Sequence, residues 1–200
     1  MRYLRKNNNF YKAMIGIALP ITLQNLIASS VNMLDTLMIT SLGQESLAAV
    51  GLANQVFFFY SVTIFGIATG SSIFIAQFWG KKDIENIKRI VGLSLTISIG
   101  LGIIFTLVSL FIPEHIMRIF SKDGEVIKLG VEYLKIVSFS YIITGISFCY
   151  AVASRSIGQA KMPMIVSIIS FLTNLIFNYL LIFGKFGFPK LGIKGAAYGT

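Results

Sequence analysis

The sequence predicts an all-α, polytopic transmembrane bundle. Apolar residues make up 55% of the 200-residue chain and charged residues 12%, where a soluble domain carries about 25% charged. Mean hydropathy is +0.78. Several apolar runs reach the roughly 20 residues that a helix needs to cross a bilayer, and the charges gather in the connectors between them.

The first span covers residues 11–40. At about 1.5 Å per residue it would run about 45 Å, against a hydrocarbon core of about 30 Å. Pro20 removes a backbone donor and crowds the preceding turn, which makes it the expected bend. The span carries an acid, Asp35, whose insertion at mid-membrane costs roughly 2.5–3.5 kcal/mol. It should therefore face protein or water. At about 100° per residue, Gln24, Ala28, Asn32 and Asp35 fall within roughly 80° of one another. Asn25, Ser29 and Thr36 widen the arc to about 140°, and Ser30 lies outside it. This polar stripe ending in a carboxylate is the leading functional feature, and Gln24 and Asn32 are candidates to line a cavity.

The second span is read at 49–78. Asn54 and Gln55 begin it and are further cavity candidates. Its hydroxyls (Ser61, Thr63, Thr69, Ser71, Ser72) are of the small kind that usually packs helices together. Trp79 falls where an interfacial aromatic belongs. The third span is read at 88–112 and the fourth at 126–153, with Pro113-Glu114-His115 as a loop between them and His115 solvated there. The fifth, 162–183, places Asn174 and Asn178 four residues apart on one helix face. Such a pair can knit helices together or offer carbonyl oxygens to a cation. A sixth span opens near Gly192 and reaches Thr200.

The net charge of +9 does not argue for nucleic acid, because headgroups and topology account for connector charges. Ten Lys and Arg, net +8 with Asp83 and Glu85, fall on the side of the N-terminus and the second and fourth connectors. Seven, net +2, fall on the other side. The N-terminus is therefore expected in the cytoplasm, although Lys185, Lys190 and Lys194 run against the rule. A lone cysteine, Cys149, offers neither a disulfide nor a CxxC metal site. Arg2, Arg5 and Lys6 precede too long an apolar run, with no small-residue cleavage site, to be a signal peptide. Phosphate-cradling glycine loops, HExxH, GxSxG and paired intramembrane carboxylates are absent, so no catalytic centre is expected.

The chain resembles the N-terminal half of the multidrug and toxic compound extrusion (MATE) transporters. The resemblance is carried by ALPITLQNL with Pro20, LDTLMITSLGQESLAAVGLANQ with Asp35, and GIATGSSIFIAQFWGKKD. It continues through RSIGQAKMPM, NLIFNYLLIFG and GIKGAAYGT. It implies one six-helix lobe over residues 1–200, five spans complete and the sixth begun, with a C-terminal lobe beyond this chain. It implies a cell-membrane antiporter that expels amphiphilic or cationic compounds in exchange for Na⁺ or H⁺, with no other cofactor. Asp35 matches the coupling acid of the first helix, Asn174 and Asn178 the polar pair of the fifth, and Thr200 the sixth-helix threonine. Some relatives carry a second acid where this chain has Asn178, which disfavours a two-carboxylate site. Asp35, Asn174 and Asn178 together form an oxygen cluster suited to Na⁺, or a carboxylate poised for a proton. Lipid-linked precursor flippases of the same superfamily are the alternative, but they line the cavity with basic residues and no Lys or Arg lies well inside a span here. A non-transporting scaffold is the alternative from another class.

Overall fold

A computed structural model describes residues 2–200, and side chains from Tyr11 onward except Ala13. The charges of Arg2, Arg5 and Lys6 lie outside the described side chains. Eight helices run in the order α1 (Arg2–Thr40), α2 (Gln44–Gly80), α3 (Ile84–Phe111), α4 (Pro113–Phe120), α5 (Gly124–Val137), α6 (Ser140–Ser156), α7 (Lys161–Phe183) and α8 (Ile193–Gly199). Among the described residues four helices are long and apolar enough to span a membrane, and five if a bent α5–α6 pair counts as one. The protein is a multi-pass membrane protein.

The expected first, second, third and fifth spans are α1, α2, α3 and α7. Two expectations are corrected. The segment 113–115 is not a loop: Pro113 occupies the first helical turn, where its missing N–H costs nothing, and α4 follows. Arg118 bridges back to Glu114 at 2.7 Å, and His115 is exposed on this short helix. Nor is 126–153 one helix. It breaks between α5 and α6 with a bend of 51°, and hydroxyls take up the freed backbone groups. Thr106 Oγ1 donates to the Ser138 carbonyl at 2.8 Å, and Ser138 Oγ and Ser140 Oγ donate to the carbonyls of Lys135 and Val137.

Pro20 is buried inside a helix that continues from Arg2 to Thr40. The turn into α2 needs Gly43, whose φ of +111° is the region L side chains avoid. Asp83 caps α3, accepting from the Asn86 backbone N–H at 3.1 Å and its amide at 2.6 Å.

The helices pack in two groups. α2 is central to the first and packs on α3, α5 and α6. In the second, α1 lies along α7 and α7 carries α8, which leans back on α5. The buried face of α3 is Ser94, Ser98, Gly102, Thr106 and Ser109, the small-residue seam by which membrane helices approach closely. At Gly102 an added Cβ would lie 2.9 Å from the Ile142 Cα of α6. The largest buried side chains are the stacked pair Tyr60 and Tyr141, with ring centroids 5.3 Å apart. Tyr60 donates to the Tyr141 carbonyl at 2.5 Å. Large apolar side chains point outward, Phe59, Phe65, Leu93 and Ile143 among them, as lipid contact requires.

Candidate functional site

Asp35 lies five residues before the end of α1 at Thr40, half-buried. Its Oδ1 accepts from Asn178 Nδ2 at 2.7 Å. Asn178 is one turn along α7 from Asn174, and the same Nδ2 also reaches Asn174 Oδ1 at 3.2 Å. Asn174 Nδ2 in turn donates to the Gly199 carbonyl at 3.1 Å, so the amide pair joins α1 to α8. Asn178 is 1% exposed, and its Oδ1 is buried with no hydrogen-bond partner. A half-buried carboxylate and a buried amide oxygen thus sit close together, and the amide oxygen is left without a donor.

Between the two helix groups lies a cavity of about 440 Å³. Asp35, Asn178 and Thr200 line it, with Asn32, Asn54 and Tyr133. Thr200 Oγ1 donates to the Ala196 carbonyl at 2.9 Å, and the Tyr133 hydroxyl adjoins it. No Lys or Arg is among the lining residues.

Two cavity candidates are placed elsewhere. Gln24 shares the angular position of Asp35, but lies three turns nearer the start of α1. It is 7% exposed, accepts from Arg155 Nη2 at 2.9 Å and donates to Ser167 Oγ at 2.9 Å. Gln55, one position on from Asn54, is rotated out of the cavity and exposed. The hydroxyls of α2 mostly bond back along their own helix, as Thr63 does to the Phe59 carbonyl and Ser72 to that of Thr69. Ser61 does so too while lining the cavity. Cys149 is buried with its thiol 3.0 Å from Ser98 Oγ, and Trp79, 44% exposed, sits at the end of α2. Tyr133, Ser140 and Thr144 are cavity residues that the sequence reading did not single out. Tyr133 stands on α5 and Ser140 and Thr144 on α6, on either side of a bend that no local pattern marks. Among the described residues no group of three or more His, Cys, Asp or Glu could hold a metal, and the oxygens beside the Asp35 carboxylate belong to amides and hydroxyls.

A multi-pass helical bundle folded around an internal cavity, with a carboxylate on its wall, is the class of membrane protein that the fold and site define. The chain belongs to the MatE family, whose model matches residues 20–180. It is similar to a probable multidrug resistance protein, YoeA, of Bacillus subtilis, 31% identical over 191 residues, which are 95% of this chain and 41% of that protein. Probable multidrug resistance protein NorM of Thermotoga maritima is 30% identical over 190 residues, 94% of this chain and 41% of that protein. Among solved structures, a MOP superfamily transporter from Pyrococcus furiosus superposes with a TM-score of 0.85 at 27% identity, over 94% of this chain and 41% of that one. A MATE structure in the bent conformation gives 0.84 at 27% identity, over 95% of this chain and 42% of that one. The chain thus spans about two fifths of the length of these relatives.

Proposed function

We propose that this chain is the N-terminal lobe of a secondary antiporter that exports amphiphilic or cationic compounds, and that Asp35, Asn178, Asn174 and Thr200 couple export to Na⁺ or H⁺. The observation that carries the reading is the Asp35–Asn178 contact together with the partnerless buried oxygen of Asn178. With Asp35 charged, the Asn178 amide donates to it. A proton on Asp35 turns the carboxyl into a donor, and half a turn of the Asn178 amide presents its oxygen to that O–H. Na⁺ would satisfy the same atoms by drawing the carboxylate and amide oxygens, with Thr200 Oγ1 close by, into one shell. Either ion changes what holds α1 to α7, which is the linkage between occupancy and helix position that alternating access needs.

The cavity wall favours export of cations or neutral amphiphiles over flipping of a pyrophosphate-linked lipid, since it presents Asp35, amides and aromatics and no basic side chain. The names of the relatives point the same way, and to a transporter, not an enzyme. In this reading the N-terminus is cytoplasmic and transport requires the second lobe.

The test is Asp35→Asn in the full-length protein, in vesicles with an imposed Na⁺ or proton gradient. The volume is kept and the charge fixed at zero. Removing a membrane-embedded charge relieves desolvation, so abundance should be normal while gradient-driven efflux of a fluorescent cation falls to the leak rate. A scaffold would leave both unchanged, and a purely structural acid would cost abundance. Normal abundance with undiminished efflux removes Asp35 from the mechanism.

A further inference from the structure

Arg155 stands in the last turn of α6, where a membrane arginine ordinarily turns its head out to the lipid headgroups. Here the head turns inward. Its Nε is buried without a partner, and its Nη2 reaches across to Gln24 of α1. The ion pairs among the described residues are Arg89–Glu85, Arg118–Glu114 and Lys194–Glu132, so Arg155 has no carboxylate. Guanidinium keeps its charge at any physiological pH, and it is held here by a neutral amide.

The contact lies in an informative place. α6 belongs to the group built on α2 and α3, α1 lies along α7, and the cavity separates the two groups. Gln24 is eight residues before Asn32 of the cavity wall, about 12 Å along the helix. Its amide faces both ways, accepting from Arg155 and donating to Ser167 of α7. The Arg155–Gln24–Ser167 chain therefore ties α6, α1 and α7 together below the cavity, beside the α6–α7 connection and on the side where α1 begins. A guanidinium–carboxylate pair at this position would be bidentate and firm. A single bond to an amide, with a spare donor beside it, is a contact that can exchange partners.

We propose that Arg155 is a positioning residue of the transport cycle. Through Gln24 it draws α1 against α6 and closes the cavity on the side where α1 begins, and it releases Gln24 when the cavity opens to that side. The cycle in this statement rests on the transport reading above, but the tie can be read without transport. Spin labels on Leu23→Cys of α1 and Tyr150→Cys of α6, both outward-facing, in a Cys149→Ala background of the full-length protein in nanodiscs, report the separation of the two helices. Expected are two distance populations whose ratio changes with saturating Na⁺ or with a fluorescent cation as transported probe. Arg155→Gln should leave only the longer distance populated and, in sealed vesicles, let the probe run downhill with no ion gradient imposed. Arg155→Lys should restore part of the shorter population. If Arg155→Gln fails to accumulate, Gln24→Leu cuts the same contact from α1 and is read the same way. One unchanging distance in the parent protein, or a distribution that Arg155→Gln does not alter, overturns the proposal. Efflux that proves independent of any ion gradient while the two populations persist removes the coupling reading and leaves the tie standing.

Discussion

Asn178 is the residue on which the site turns, because it spends one amide hydrogen on Asp35, another contact on Asn174, and keeps an oxygen unused. Asn178→Leu would leave the carboxylate without its donor, at a cost of about 1–3 kcal/mol for a buried polar group losing its partner. We expect reduced thermal stability and lost coupling together. Asn178→Asp introduces a second acid, and should keep binding while shifting the pH range of efflux. Gly199 offers a subtler probe. A Cβ there would overlap the Asn178 amide and lie 3.0 Å from its backbone nitrogen, and the Gly199 carbonyl is the acceptor for Asn174. Gly199→Ala should weaken ion-driven efflux with the protein still abundant, whereas Gly51→Ala, on the cavity wall with nothing within 4 Å, should leave efflux intact. Asp35 and the asparagines were legible in the sequence, since a polar group in a span demands a partner. Tyr133 was not, because nothing separates it from the other aromatics. Gln24 misled because a helical wheel gives direction around the axis and says nothing of depth along it.

Helix ends and seams follow rules that the sequence carries in part. The seam of α3, a small or hydroxylated residue at nearly every fourth position from Ser94 to Ser109, is written in the chain as plainly as any motif. It went unread because a membrane helix inverts the soluble pattern and turns its large side chains outward. The break at Ser138 was illegible for the opposite reason: it depends on Thr106, on another helix, donating to the freed Ser138 carbonyl. The cap of α3 is a feature that pH can test. The Asn86 side chain and backbone N–H hold the Asp83 carboxyl below the usual carboxylate range, with Arg89 and Lys81 adding to the effect. A folded-state pKa below the unfolded one contributes stability that is present above the unfolded value, near 3.9, and lost as pH falls through the folded value. Asp83→Ala should therefore melt at a lower temperature than the parent near neutral pH, and the gap should close in acid below that range. A gap that persists unchanged in acid would assign the effect to something other than the ionised cap.

The whole molecule poses a question of direction that packing alone does not answer. α2 has 37 residues, about 55 Å as a helix, against a hydrocarbon core of about 30 Å. Its two ends must lie on opposite sides of the membrane. Glu45 stands in its first turn, and Lys82 just past its end in the turn to α3. Lys81, Lys82, Lys88 and Arg89 cluster at that second end, and positive charge favours the cytoplasm. An impermeant thiol reagent on intact cells should therefore label Glu45→Cys in the full-length protein and spare Lys82→Cys until the membrane is opened. The native Cys149 is buried, 5% exposed, and should contribute little background. The opposite labelling would invert the molecule. The side of the cavity that the Arg155–Gln24 tie closes would then be the outer one, while the Asp35 cluster and its coupling chemistry would be unaffected.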